Sequence, residues 1–199
     1  MISRINIQSF KGNALKPYLP SIAKVRQEVY REYPYLHEVD LEQEKSYLEE
    51  HLDTEEAIAV LVFDGSAIVG VSTGTPLENE PENIQAPFIK EGLDICSFYY
   101  FGKSFLLKPY RGRGFGHHFF DLREYHAQNL GSYHHICFSS IARQEKPQNL
   151  PKEYMSLNSF WQKRGYVQHP EMHYKLSWKD ISDSTPSEKP MVIWTKDLP

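Results

Sequence analysis

The stretch that most constrains the fold is a strand, a glycine-rich turn, a helix and a second strand in direct succession. SFYYFGKSFLL (97–107) is rich in aromatic and apolar residues and reads as a central strand. HHICFSSIA (134–142) reads as another. Between them Phe115, Phe119, Leu122, His126 and Leu130 recur at helical spacing, predicting a helix from about Gly114 to Leu130. Two strands joined by one helix require parallel pairing and a right-handed crossover. The connection is RGRGFG (111–116), with Gly112, Gly114 and Gly116 gathered where glycine is a poor helix former.

Glycines at a helix start let the backbone fold tightly and let an anion approach without meeting Cβ atoms. The first amides of a helix are unpaired and carry partial positive charge. Arg111 and Arg113 add charge-assisted donors. The turn therefore reads as a phosphate cradle. It is not a P-loop, because no G-x-x-x-x-G-K-[ST] string occurs. It is not the dinucleotide fingerprint G-x-G-x-x-G either, because the sixth position from Gly112 is His117. What remains is Arg-x-x-Gly-x-Gly at Arg111, Gly114 and Gly116.

The rest of the chain surrounds this unit with mixed elements. RINIQSF (4–10) alternates as a first strand, and Ile22, Val25, Val29 and Tyr33 mark a helix over roughly 20–33, ended by Pro34. Asp40 and Gln43 form a capping pattern for a second helix, with Leu41, Leu48 and Leu52 on one face. AIAVLVFD (57–64) and AIVGVSTGT (67–75) flank Gly65 as a hairpin. Residues 78–87 and 144–153, acidic or proline-containing, read as loops. SLNSFWQKRG predicts a short helix stopped by Gly165, and 172–180 and 191–197 read as late strands around the loop SDSTPSEKP.

LLKPYRGRGFGHHFFD resembles the coenzyme A-binding motif of the GNAT superfamily of acyl-CoA-dependent N-acyltransferases. SLNSFWQKRGYV is similar to that family's second motif, through Phe160, Trp161, Gly165 and Tyr166. The resemblance covers about 97–167 and is only topological over 1–77; the tail beyond 168 resembles a branch of the superfamily and identifies no acceptor. It implies acetyl-CoA as cosubstrate, held by Leu106 and Leu107 through their backbone and by Arg111, Gly112, Arg113, Gly114, Phe115, Gly116 and His117 around the diphosphate. It implies a single domain over 1–199, with acceptor-side helices at about 16–52 and an acyl-CoA-binding core at about 97–167. The expected fold is α/β, a mixed, mostly antiparallel sheet splayed between the strands near 97–107 and 134–142, with helices on both faces.

The implied activity is transfer of acetyl from acetyl-CoA to a primary amine of a small molecule or peptide, directly within a ternary complex. The chain departs from the family in two places. Trp161 stands where many members have Tyr, and an indole N–H is a poor proton donor. The strand Phe101-Gly102-Lys103-Ser104-Phe105 has no carboxylate where many carry Glu. Tyr154 is the candidate acid. The alternative is a non-catalytic acyl-CoA-binding or regulatory module. Glu28, Glu32, Glu38, Asp40, Glu42 and Glu44, with Tyr30, Tyr33 and Tyr35, read either as a cleft for a cationic amine or as a solvated helix surface.

Other partners are not expected. A net charge of −4 argues against nucleic acid. His117 and His118 diverge on a helix, and His134 and His135 alternate across a strand, so no metal is expected; His135 or its neighbour can face the acceptor. The two cysteines form no disulfide framework, with Cys137 read as strand core, and fit the cytoplasm. MISRINIQSFKGN has no long apolar core as a signal peptide would, and no stretch approaches the roughly 20 apolar residues of a membrane span. The late strands offer an edge for pairing in a homodimer.

Overall fold

The computed structural model describes residues 5–52, 54–143, 151, 152 and 154–199. The predicted loop at 144–153 lies mostly outside them. The elements in chain order are β1 (Ile5–Phe10), α1 (Leu19–Tyr30), α2 (Leu41–Leu52), β2 (Ile58–Asp64), β3 (Ala67–Pro76), α3 (Glu82–Lys90), β4 (Phe98–Leu106), α4 (Phe115–Leu130), β5 (His135–Ile141), α5 (Asn158–Lys163), β6 (Val167–Trp178) and β7 (Ser187–Asp197). The strands form one sheet in the order β1-β2-β3-β4-β5-β7-β6. Its neighbours are antiparallel except β4 and β5, which run parallel, as the strand–helix–strand reading requires.

The parallel pair is short. Phe98 pairs with His135, Tyr99 with Ile136 and Tyr100 with Cys137, and there the ladder stops. Beyond that rung both strands lose burial, at Gly102–Ser104 on β4 and Ser139–Ile141 on β5, so a gap opens between them.

Alternation on β4 is broken once. Gly74 faces Phe101 and Ser72 faces Ser104, so Gly102 and Lys103 together oppose Thr73 in a β-bulge. Before the bulge Tyr99 and Phe101 pack with Phe115, Phe119 and Phe120 of α4; after it Phe105 packs with Ile22, Val25 and Leu48 of α1 and α2. The sheet thus has one face covered by α4 and the other by α1, α2 and α3, whose Ile84 and Phe88 pack with Tyr100 and Tyr174.

Three expectations change. The acidic, proline-containing 78–87 is largely helical, because Ile84 and Phe88 sit one turn apart on a buried face and Pro81 precedes the first turn. The buried face of α4 carries Phe119, Phe120, Arg123, His126 and Ala127, with Leu122 and Leu130 only partly buried. Arg123 tolerates burial because Nη1 donates to Thr73 O at 2.9 Å and Nε to Phe119 O at 3.0 Å, with its guanidinium over Phe101. The late strands are longer than predicted, and Pro190 lies inside β7.

Candidate active site

The glycine turn lies just past the end of β4, beside the open half of the gap, and is exposed. Gly112 has φ 74° and Gly114, the residue before α4, has φ 87°; both conformations disfavour any residue with a Cβ. Gly116 is different: it is already helical, and a Cβ there would rest 3.6 Å from Phe160. Among the described residues no backbone or side-chain acceptor takes the amides of Gly112 through Gly116, and the first turn of α4 has no acidic residue. That leaves a row of donors at a helix start, the arrangement that receives a phosphate.

The strand before the turn offers more donors. Leu107 N–H donates to Val69 O at 2.9 Å, so that amide is used inside the sheet. Alternation then turns the amides of Ser104 and Leu106 toward the gap. The Leu106 carbonyl accepts from Arg111 Nε at 2.9 Å, and Arg111 also holds the Glu32 carboxylate. Arg113 is exposed, its guanidinium 5.5 Å from the Tyr110 ring. His117 packs against Phe160 at 4.9 Å, with Arg164 Nη1 3.3 Å from its Nδ1.

The second motif forms the wall across the gap. Phe160 packs on Phe120 at 5.6 Å, and Trp161 on Phe138 at 5.0 Å and Trp194 at 5.1 Å. Trp161 therefore serves in packing. Gly165 closes α5 at φ 88°. Tyr154 is half-buried, with its ring 4.5 Å from Tyr33, and burial raises its pKa. Cys137 is fully buried in β5, and burial holds its thiol well above its ordinary range. His135 lies at the joined end of the parallel pair, against Phe98 and bonded to Asp197 at 2.7 Å, away from the opening.

The opposite face of the sheet carries a polar cluster that the sequence pattern concealed. Lys103 Nζ, placed there by the bulge, donates to both oxygens of Glu44 at 3.0 and 2.9 Å, and Arg26 pairs with the same carboxylate. Burial and the charge of Arg26 push the Lys103 pKa down. Glu80 lies between Leu77 and α3, only 4% exposed. Its carboxylate receives one hydrogen bond among the described residues, from Tyr47 Oη at a long 3.4 Å. Desolvation pushes its pKa up to about 7, against the opposing charge of Lys103. Its amide donates to Leu77 O at 3.1 Å, and Leu77 shares a buried cluster with Tyr100 on β4, Cys137 on β5 and Tyr174 on β6, so Glu80 lies near the last paired rung, where the gap begins. Beside it Ser139 Oγ joins Tyr100 Oη at 2.8 Å and Tyr174 Oη at 2.6 Å across β4, β5 and β6.

A strap crosses this face. Arg143, just past β5, donates to Pro34 O and, at 2.9 Å, to Tyr35 O, and forms a two-pronged pair with Asp180 at 2.7 and 3.0 Å. Trp178 Nε1 donates to Tyr35 O at 3.0 Å. The connection from α1 to α2 is thereby drawn across to the ends of β5 and β6.

Most carboxylates proposed for an amine cleft have internal duties: Glu32 binds Arg111, Glu38 binds Arg31, Asp40 caps α2 through the amides of Glu42 and Gln43, and Glu44 binds Arg26 and Lys103. Glu80, missed because it fell in a segment read as a solvated loop, is the buried carboxylate with the weakest pairing of this group. Among the described residues no three His, Cys, Asp or Glu lie close enough to share a metal, and no helix is long and apolar enough to cross a membrane.

Comparison with known proteins bears on the fold. No protein-family model and no curated protein matches the sequence. Solved structures do match the architecture. An acetyltransferase of the GNAT family from Streptococcus pneumoniae superimposes with a TM-score of 0.61 at 12% identity, over 98% of this chain and 100% of that one. A ribosomal-protein-alanine N-acetyltransferase from Brucella melitensis gives 0.62 at 13% identity, over 97% and 99%. A protein of Salmonella typhimurium described as an acetyltransferase, solved with its cofactor acetyl-CoA, gives 0.58 at 8% identity, over 98% and 94%. The chain has the fold of the GNAT acetyltransferases.

Proposed function

We propose that this protein is an N-acetyltransferase that moves acetyl from acetyl-CoA to a primary amine of a small molecule or peptide, by direct transfer in a ternary complex. The observation that carries this reading is the row of unused amides at Gly112–Gly116, set beside the gap between β4 and β5. The diphosphate of coenzyme A docks on those amides, with Arg111 and Arg113 flanking it. The gap-facing amides of Ser104 and Leu106 align the pantetheine arm, and the thioester enters where the strands part. Fixing the thioester there while an amine approaches from the other face supplies proximity and orientation, and a strand amide stabilises the developing oxyanion. Cys137 takes no part, because a thiol held protonated by burial is not a nucleophile.

Isothermal titration with acetyl-CoA tests the binding half of the proposal, and absence of binding by the folded protein overturns it. Release of free thiol, followed over polyamines, amino acids, aminoglycosides and peptide N-termini, tests the transfer half. Binding without thiol release on any amine favours a non-catalytic acyl-CoA-binding module, a reading consistent with the packing role of Trp161.

A further inference from the structure

Resting on the transferase reading above, we infer that Glu80 is the group that takes the proton from the acceptor's ammonium. The position comes first. The Glu80 amide donates to Leu77 O at 3.1 Å, and Leu77 belongs to the buried cluster that holds Tyr100 and Cys137, the last rung before β4 and β5 separate, on the sheet face opposite α4. An arm that enters the gap from the glycine turn presents its thioester at that point, and an amine crossing from the face of α1, α2 and α3 meets Glu80 there.

The surroundings suit a base. A carboxylate kept for structure is normally saturated with hydrogen bonds when buried. Glu44 of α2, on the same face of the sheet, is: it holds Lys103 through both oxygens and Arg26 besides. Among the described residues the Glu80 carboxylate has only the long contact from Tyr47. The charged and titratable groups around it are Tyr47 from α2, Lys103 and Tyr100 from β4, Cys137 from β5 and Tyr174 from β6. Burial keeps all three tyrosines and the thiol protonated, leaving Lys103 as the cation that opposes desolvation of Glu80. A carboxyl that titrates near 7 is matched to proton transfer at neutral pH.

The step balances simply. Glu80 takes one proton from R–NH3+ and becomes a carboxylic acid. The freed amine attacks the thioester carbon, forming the C–N bond. Collapse breaks the C–S bond, and the second proton leaves nitrogen for the departing thiolate. Glu80 then returns its proton to solvent.

The test compares wild type with Glu80→Gln and Glu80→Asp on an amine that wild type acetylates. Glu80→Gln is expected to lower kcat/KM by about 10²-fold or more, with acetyl-CoA affinity by titration unchanged and Glu80→Asp partly restored. In wild type, kcat/KM rises to a plateau through an apparent pKa near 7. In Glu80→Gln that limb disappears, and the rate climbs instead with the amine's own deprotonation. Wild-type activity or an unchanged profile in Glu80→Gln overturns the assignment and leaves the transferase reading standing. No turnover by wild type on any amine overturns both. If Glu80→Gln does not bind acetyl-CoA, the wild-type profile decides: a limb near 7 supports Glu80, and its absence removes it.

Discussion

Arg111 and Glu32, 79 positions apart in the chain, meet in a two-pronged ion pair, with Nη1 and Nη2 at 2.6 and 3.0 Å from the carboxylate oxygens. The pair ties the loop after β4 to the connection beyond α1. It also sets a carboxylate beside the amides that would receive a diphosphate, so the two anions compete for one guanidinium.

Glu32→Gln is therefore expected to tighten acetyl-CoA binding about threefold to tenfold, read by isothermal titration, with little change in melting temperature. Both side chains are more than a third exposed, and such pairs contribute roughly 0–1 kcal/mol to folding. Arg111→Ala acts in the opposite direction on affinity, through lost charge-assisted bonds.

Two substitutions at Gly114 separate backbone strain from charge. A Cβ at this position meets nothing within 4 Å, so Gly114→Ala suffers only from φ 87°, about 1–2 kcal/mol in a denaturant melt. Gly114→Asp adds a negative charge among the unused amides and is expected to abolish acetyl-CoA binding. Comparable affinity in the two variants would locate the anion elsewhere.

Glu80 also makes stability depend on pH. Its folded pKa, about 7, lies above the unfolded value of 4.5, so the unfolded chain releases the proton first as pH rises. The folded state loses stability between those values, and the full loss, about 3 kcal/mol, is present above 7. Glu80→Gln removes it. Chemical denaturation at pH 8 is expected to show the variant more stable than wild type, with the difference vanishing near pH 4.

Asp180→Ala leaves the nearly buried Arg143 guanidinium, among the described residues, with the Pro34 and Tyr35 carbonyls and the Tyr33 ring but no carboxylate. Breaking a buried pair from one side costs about 3–5 kcal/mol. The strap between α1 and α2 loses its anchor as well. The expected result is a lower melting temperature and a higher KM for the amine, with acetyl-CoA affinity spared.

Much of the glycine turn and its flanking elements was legible because their signals are local. Gly112 and Gly114 are demanded by their own φ angles, and α4 and β5 follow within a few tens of residues. The polar cluster on the opposite face was not, because its burial is decided at long range. Glu80 looks like part of an acidic loop until Tyr47 and Lys103 are folded against it. Glu44 sits among the polar residues of α2 and becomes buried only because Arg26 and Lys103 converge on it. Arg123, four residues after Phe119, flanks the apolar stripe of α4, yet its charge argues against burial until Thr73 supplies an acceptor that lets it enter the core. In each case a charged residue was hidden by a partner remote in sequence, which periodicity cannot register.

The bulge at Gly102 and Lys103 decides where a positive charge goes. Strict alternation from Tyr99 and Phe101 would aim the Lys103 ammonium into the phenylalanine rings beneath α4. One surplus residue reverses the strand's parity and delivers it to Glu44 on the other side. Pairing β4 with β3 at unchanged length but without the bulge would thus exchange the two sides' inventories beyond Phe101 without altering any side chain's chemistry.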